Sequence, residues 1–329
     1  MVALLILIVG LVLLIGGAKL LVDGVSSLAV AAGVSPVVVG LTVVAFGTST
    51  PEVVINGISA WKGETALAFG NVVGSCAINI GFVLALTAMV RPLSVERSLV
   101  TREIPLLLLA VAALAVLSGD RFLNRAESDV LVRGDGLILL LIFGVFLYST
   151  VRQAIDVKPR DPFIADVREE VSEMPAPVER RIGRDAALTL AGLAGVALGG
   201  RLAVLGAVRI AESLGVPEVV VGLTIVSFGT TLPELATCIT AARRGHSDLA
   251  IGNIVGSNLY NTLFIGGMVA AINPVAIPEG GWLDLAVAAT LSLLLVPVAI
   301  GRNFRVTRGE GALLLAVYLG YLTLRLASS

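Results

Sequence analysis

Long apolar runs alternate with short polar interruptions from one end of the chain to the other. Ten runs fit this pattern, at approximately 3–31, 37–60, 66–90, 103–118, 130–150, 186–211, 218–241, 248–271, 282–300 and 310–326. An α-helix needs roughly 20 apolar residues to cross a ~30 Å hydrocarbon core, and most of the runs meet that length. The alternation expected of barrel strands is absent from them. The pattern therefore predicts an all-α polytopic membrane protein with ten transmembrane helices. One long polar interval, "VRQAIDVKPRDPFIADVREEVSEMPAPVERRIGRD" over 151–185, separates spans one to five from spans six to ten. Its mixed charges and prolines predict a solvated linker. The opening "MVALLILIVGLVLLIGGAKLL" lacks a positive n-region and outruns a signal-peptide core, so it is expected to be the first membrane helix.

Composition agrees with this reading. The chain is 57% hydrophobic and 14% charged, against about a quarter charged in a soluble domain. A net charge of -1 argues against a nucleic-acid partner. Cys76 and Cys238 sit in apolar segments and are expected to pack, not to pair or bind metal. Lys and Arg set the orientation. With the N-terminus outside, fifteen of them fall on inner connections and five (Lys62, Arg121, Arg125, Arg133 and Arg325) on outer ones. Both termini are then extracytoplasmic, in a multi-pass cell-membrane protein whose 151–185 linker is cytoplasmic.

The two halves repeat each other. Gly33–Gly81 aligns without gaps to Gly215–Leu263 at a shift of 182, with about half the positions identical. "GLTVVAFGTSTPEVV" at 40–54 faces "GLTIVSFGTTLPELA" at 222–236, and "GNVVGSCAIN" faces "GNIVGSNLYN". A match of this length marks an internal duplication. Five spans per half is an odd number, so the second copy must cross the membrane in the opposite sense. Inverted repeats of this kind build secondary transporters, with the binding site near the midplane. The expected organisation is a first five-helix repeat over 1–150, the linker, and a second inverted repeat over 186–329. The most similar blocks lie at about 36–90 and 218–271.

Chemistry enters with the Gly-Thr-x-x-Pro-Glu motif at the middle of spans two and seven. Gly47 and Pro51, like Gly229 and Pro233, weaken a helix and remove a backbone donor, so a break is expected at each. Irregular backbone at membrane depth is tolerated only where it is buried in protein or lines a cavity. Beside each break stands a carboxylate, Glu52 or Glu234, whose charge costs at least a few kcal/mol in hydrocarbon. A bound cation offsets that cost. Carboxylate, hydroxyl and carbonyl oxygens suit hard ions, and Ca²⁺ takes about 6–8 of them; no His or Cys joins the motif, which argues against zinc or copper. The same residues also fit a capping box, Ser49 with Glu52 and Thr231 with Glu234, in which the glutamates would only start a second half-helix. Ser75 and Ser257 can add hydroxyl oxygens, and Asn79 and Asn261 amide oxygens, or all four can simply bridge helices. For Asn71 and Asn253 the bridging role is the expectation.

"GTSTPE" and "GTTLPE", each followed by "GN(V/I)VGS…N", resemble the two alpha-repeats of the sodium/calcium exchanger family, within the cation/calcium antiporter superfamily. The resemblance implies antiport of Na⁺ and Ca²⁺ as the transported ions, with no resident cofactor and no enzymatic activity, by a monomer in the lipid bilayer. Spans two, three, seven and eight would hold the ions, while spans one and six, with Gly16-Gly17 and Gly199-Gly200, would form a mobile gating pair. Carried over residue by residue, Glu52 and Glu234 would be central ligands shared by both cations, completed by Thr48 and Thr230. Ala45 with Ser75, and Ser227 with Ser257, would serve flanking sodium sites. Ser49 and Thr231 adjoin the breaks, and Asn79 and Asn261 would line the middle position. Two departures stand out. Relatives that also carry K⁺, and some prokaryotic exchangers, place an aspartate where this chain has Asn261, which favours K⁺-independent exchange here. Cys76 stands where the second repeat has Asn258. A cation/proton antiporter of the same architecture, trading Ca²⁺ for H⁺, and a K⁺-dependent exchanger are the alternatives.

Overall fold

The first helices of the two halves lie against each other along a glycine seam. Helix α1 (Val2–Ala32) and helix α7 (Val178–Ser213) are antiparallel. A methyl group added at Gly10, Gly17 or Gly24 would strike the α7 backbone near Ala203, Val196 and Thr189 respectively. From the other side, Gly192, Gly199 and Gly206 meet Leu21, Leu14 and Leu7. Each helix thus places a glycine every seventh residue, on the face where the backbones approach. Small residues at such spacing are how membrane helices gain packing without a hydrophobic drive between them.

A computed structural model describes residues 2–123, 125–156, 178–214 and 227–327. Within that range the chain continues as α2 (Pro36–Thr48) and α3 (Thr50–Lys62), which form one broken span bent by 50°. Then come α4 (Thr65–Val90), α5 (Leu99–Leu117) and α6 (Arg133–Asp156). In the second half α7 is followed by the single turn α8 (Ser227–Thr230), α9 (Leu232–Arg243), α10 (Ser247–Ile272), α11 (Gly281–Phe304) and α12 (Arg308–Ala327). Seven of the described helices are long and apolar enough to cross a membrane, and the broken pair makes an eighth candidate. The protein is a nearly all-helical, multi-pass membrane protein. Residues 157–177 of the expected linker and 218–226 of the expected seventh span lie outside the described residues. The linker is shorter than 151–185, because α6 runs on to Asp156 and α7 already begins at Val178. Charged residues such as Glu179 and Arg180 keep a helix helical beyond the point where hydropathy loses it.

Helices α4 and α10 form the centre. The apolar windows of these two are 78% and 83% buried, against 28–44% for the other candidate spans. Turns repeat faithfully between the halves. Gly63 and Gly245, equivalent by the shift of 182, both take positive φ, 81° and 90°, and end α3 and α9. In each case the next residue's N–H returns to a carbonyl further back, Glu64 to Ser59 and His246 to Ala241, closing the last turn in the same way. Two short antiparallel ribbons link the halves. Strand β1 (Leu93–Ser94) pairs with β4 (Arg305–Val306), and β2 (Val130–Leu131) pairs with β3 (Val275–Ala276). Asp23 of α1 makes an ion pair with Arg244 in the turn after α9.

The seam makes a sharp contrast between neighbours. A Cβ at Gly17 would come within 2.6 Å of the Gly195 backbone, whereas a Cβ at Gly16 meets nothing within 4 Å. Gly17→Val is expected to destabilise the purified protein by about 1–3 kcal/mol through overpacking. Gly16→Ala is expected to be neutral or stabilising, by up to roughly 1 kcal/mol of helix propensity. Thermal unfolding in detergent, followed by loss of monodispersity, distinguishes the two; equal losses would contradict the seam.

Candidate cation site

Both carboxylates reach the interior because each half breaks a helix at the same motif. Pro51 has no N–H to return to the carbonyl of Gly47, so it is excluded from a continuous helix but accepted in a first turn. Helix α2 accordingly stops at Thr48, Ser49 turns the chain, and Glu52 stands in the first turn of α3. The second half does the same. Thr231 turns the chain between α8 and α9, Pro233 occupies the first turn, and Glu234 follows it.

Neither turn residue caps its helix. Ser49 and Thr231 occupy the capping position, yet neither side chain makes a capping hydrogen bond. Ser49 Oγ instead donates to Glu234 Oε1 at 3.3 Å and lies 3.2 Å from Ser257 Oγ. Thr231 Oγ1 is buried without a partner. The capping-box alternative therefore fails in both halves, since the hydroxyls face the interior of the molecule.

Glu52 and Glu234 are each 2% exposed and near enough for their charges to repel. Each is held by the opposite break. Thr230 hydrogen-bonds to Glu52, while Ser49 hydrogen-bonds to Glu234, with Thr48 close to the same carboxylate. Thr48 Oγ1 is also within 3.1 Å of the Val44 carbonyl and 3.2 Å of Asn253 Oδ1, and its single proton serves one of these acceptors at a time. One oxygen of each glutamate, Oε2, is buried with no hydrogen-bond partner.

The remaining expected residues come from the two central helices, from α2 and from α8. Asn79 begins a π-helical turn, Asn79–Leu84, and Asn261 lies in its equivalent, Tyr260–Ile265. Such turns widen a helix locally and are frequent at functional sites. Asn79 Oδ1 and Asn261 Oδ1 are both buried and unpartnered. Ser75 and Ser257 lie one turn earlier, 4% and 0% exposed. Ala45 is fully buried, and its carbonyl accepts from Ser49 N at 3.0 Å and Thr48 Oγ1 at 3.4 Å. Ser227 begins α8, and its side chain lies outside the described residues.

The orphaned atoms share one chemistry. Among the described residues, nine buried side-chain polar atoms lack a hydrogen-bond partner, and all nine are oxygens. Five belong to Glu52, Asn79, Thr231, Glu234 and Asn261. Carboxylate and amide oxygens only accept, so a site made of them needs a donor or a positive charge. Among the described residues no group of three or more His, Cys, Asp and Glu side chains is arranged to hold a metal. The negative charge is thus confined to two carboxylates among neutral oxygens, a set matched to hard cations and poorly matched to zinc or copper.

Asparagine and cysteine bridges surround this set. Asn56 Nδ2 donates to the Glu52 carbonyl at 2.8 Å and to Asn71 Oδ1 at 2.9 Å. At the equivalent place in the second half, Asn253 Nδ2 reaches Cys238 Sγ at 3.3 Å. Asn71 and Asn253 therefore bridge helices, as expected from the sequence. The part played by Asn56 went unread there, although its position one turn beyond Glu52 on the same helix face was visible.

The chain is similar to known proteins over most of its length. The family described as sodium/calcium exchanger protein matches residues 2–152 and 185–327. A putative antiporter, CaxA of Alkalimonas amylolytica, is 36% identical over 283 residues, covering 85% of each chain. The sodium/calcium exchanger MaX1 of Methanosarcina acetivorans is 28% identical over 302 residues, covering 85% of this chain and 86% of its own. A solved structure of the sodium-calcium exchanger NCX_Mj, soaked with 10 mM Na⁺ and 10 mM Sr²⁺, superposes with a TM-score of 0.81 at 30% identity, covering 98% of this chain and 97% of that one. With the family matched across nearly the whole chain, and with two buried carboxylates at two broken helices, the protein belongs to the sodium/calcium exchanger family.

Proposed function

We propose that the protein is a secondary active antiporter that exchanges Na⁺ for Ca²⁺ by alternating access, both cations competing for one site built on Glu52 and Glu234. The observation that carries this reading is the pair of buried carboxylates, each held by hydroxyls of the opposite break and each keeping one oxygen unpartnered. Thr48 and Thr230 would complete the central position. Ala45 with Ser75 and Ser227 with Ser257 would flank it for Na⁺, Asn79 and Asn261 would line its middle, and Ser49 and Thr231 would adjoin it. Relatives named as an antiporter and as a sodium/calcium exchanger support the same reading.

The architecture we infer is ten crossings in two inverted five-helix repeats, 1–150 and 186–329, with both termini outside, the linker cytoplasmic and the protein a monomer. The antiparallel course of α1 and α7, and the ribbons that pair connections of one half with those of the other, support the inversion. Backbones as close as those of α1 and α7 move together, which suits the pair to gating.

Exchange follows from electrostatics. One Ca²⁺, or several Na⁺, neutralises two carboxylates, and an empty doubly charged site resists occlusion because its desolvation is uncompensated. The loaded site passes through the occluded state and the empty one does not, so the cations exchange and do not leak. With three Na⁺ for one Ca²⁺, one charge moves per cycle, worth ~2.3 kcal/mol per 100 mV. The hydroxyl-rich breaks favour Na⁺ over H⁺ as the counter-ion, and the neutral Asn261 favours independence from K⁺.

Three measurements in liposomes test this. Glu52→Gln and Glu234→Gln are each expected to lower Na⁺-driven Ca²⁺ uptake at least about 100-fold, equivalent to ~2.7 kcal/mol, in a protein that still elutes as a single species. Near-normal uptake by either variant would remove the site. For the wild type, Ca²⁺ uptake is expected to follow an imposed Na⁺ gradient and to ignore K⁺ and pH gradients of the same size; uptake driven by pH alone would make the protein a Ca²⁺/H⁺ antiporter. Asn261→Asp adds a third carboxylate and is expected to alter cation preference, read as changed Na⁺ or K⁺ dependence of uptake, whereas an unchanged profile would make the position peripheral.

A further inference from the structure

The free oxygen of Asn79 is a product of what holds its nitrogen. Asn79 Nδ2 donates to Asn258 Oδ1 on α10 at 2.9 Å, and Asn258 Nδ2 donates to the main-chain oxygen of Cys76 on α4 at 3.3 Å. The polarity of this relay is fixed by its last member. A peptide carbonyl can only accept, so Asn258 must turn its NH₂ to Cys76 and its oxygen to Asn79. Asn79 must answer with its own NH₂. Its Oδ1 is then directed elsewhere, buried and without a partner. Asn79 is 1% exposed and Asn258 0%, so bulk water does not compete for either amide.

Among the described residues no matching relay serves the second half. By the shift of 182, the counterpart of Asn79 is Asn261 and the counterpart of Asn258 is Cys76. The Cys76 thiol lies 3.4 Å from Thr262 Oγ1 and 3.8 Å from the Asn258 carbonyl. A thiol is a weak hydrogen-bonding group and cannot return an amide's paired bonds. Asn261 Oδ1 is as buried and unpartnered as that of Asn79, but among the described residues no side-chain amide fixes its direction. The two halves therefore present the same oxygen under different constraint.

We propose that Asn258 is a positioning residue of the cation site: by holding the Asn79 amide nitrogen it keeps Asn79 Oδ1 turned toward the bound cation, in the first half only. This rests on the reading of Glu52 and Glu234 as the site. Without the clamp the amide is free to rotate and to offer its electropositive NH₂ where the oxygen stood. An ion–dipole interaction scales with the charge of the ion, so a misdirected amide harms Ca²⁺ binding more than Na⁺ binding.

The test is a double-mutant cycle on the full chain in liposomes, with apparent Ca²⁺ and Na⁺ affinities read from Na⁺-driven Ca²⁺ uptake. Asn258→Leu is expected to weaken apparent Ca²⁺ affinity about tenfold, the size of one well-placed polar interaction, and apparent Na⁺ affinity less than about threefold. In an Asn79→Leu background the same substitution is expected to cost less than about a further twofold, because its partner is gone. Equal costs in both backgrounds, or equal weakening of Ca²⁺ and Na⁺, would overturn the clamp and leave Asn258 a packing residue. If the leucine variant does not reconstitute, Asn258→Ala runs the same cycle. Glu52→Gln is measured alongside for direct binding of radioactive Ca²⁺. Retained binding there would overturn the site itself, while lost binding together with an additive cycle would overturn the clamp alone.

Discussion

The structure is organised around a repulsion. Two carboxylates, Glu52 and Glu234, are brought into one buried place where water cannot screen them. In a low-dielectric interior a like-charged pair is among the costliest arrangements a protein can hold. The hydroxyl of Thr230 bonds to Glu52 and that of Ser49 to Glu234, which leaves an oxygen of each uncompensated. That remainder is what a cation would cancel under the proposed function, and the rest of the fold holds the pair in place.

Three devices do so. Proline in the first turn after each break fixes where a helix restarts, and so where each glutamate stands. The π-helical turns at Asn79 and Asn261 carry two further oxygens inward from α4 and α10. Methyl groups at Gly47 and Gly229 would collide with Leu193 and Val204, so α7 leans on both breaks at once. A single helix is therefore in contact with the two places where backbone order is interrupted.

Much of this was legible in the sequence, for physical reasons. Helices that must bury about 30 Å of hydrocarbon length announce themselves by hydropathy, and a gapless repeat announces the duplication. The breaks were visible because proline and glycine act on the backbone directly, whatever surrounds them. Relations between side chains were harder to read. Ser49 fitted a helix cap by local spacing, but its hydroxyl goes 185 residues along the chain to Glu234, and only the folded chain brings that acceptor near. Asn258 entered the sequence reading only as the counterpart of Cys76, because its bonds to Asn79 and Cys76 cross between halves. The glycine heptads of α1 and α7 were present as letters, yet their use depends on two helices lying antiparallel. The two-residue strands carry no periodicity at all, since two residues are too few to define one.

The ribbons have one last consequence. Among the described residues, strand β1 pairs only with β4 and β2 only with β3, so neither half supplies both members of a pair. The seam of α1 with α7 and the crossing of α4 with α10 are shared in the same manner. What reads as two copies in the linear order has no dividing plane in space. Each copy depends on the other for the partner of both its short strands and for one side of the glycine seam.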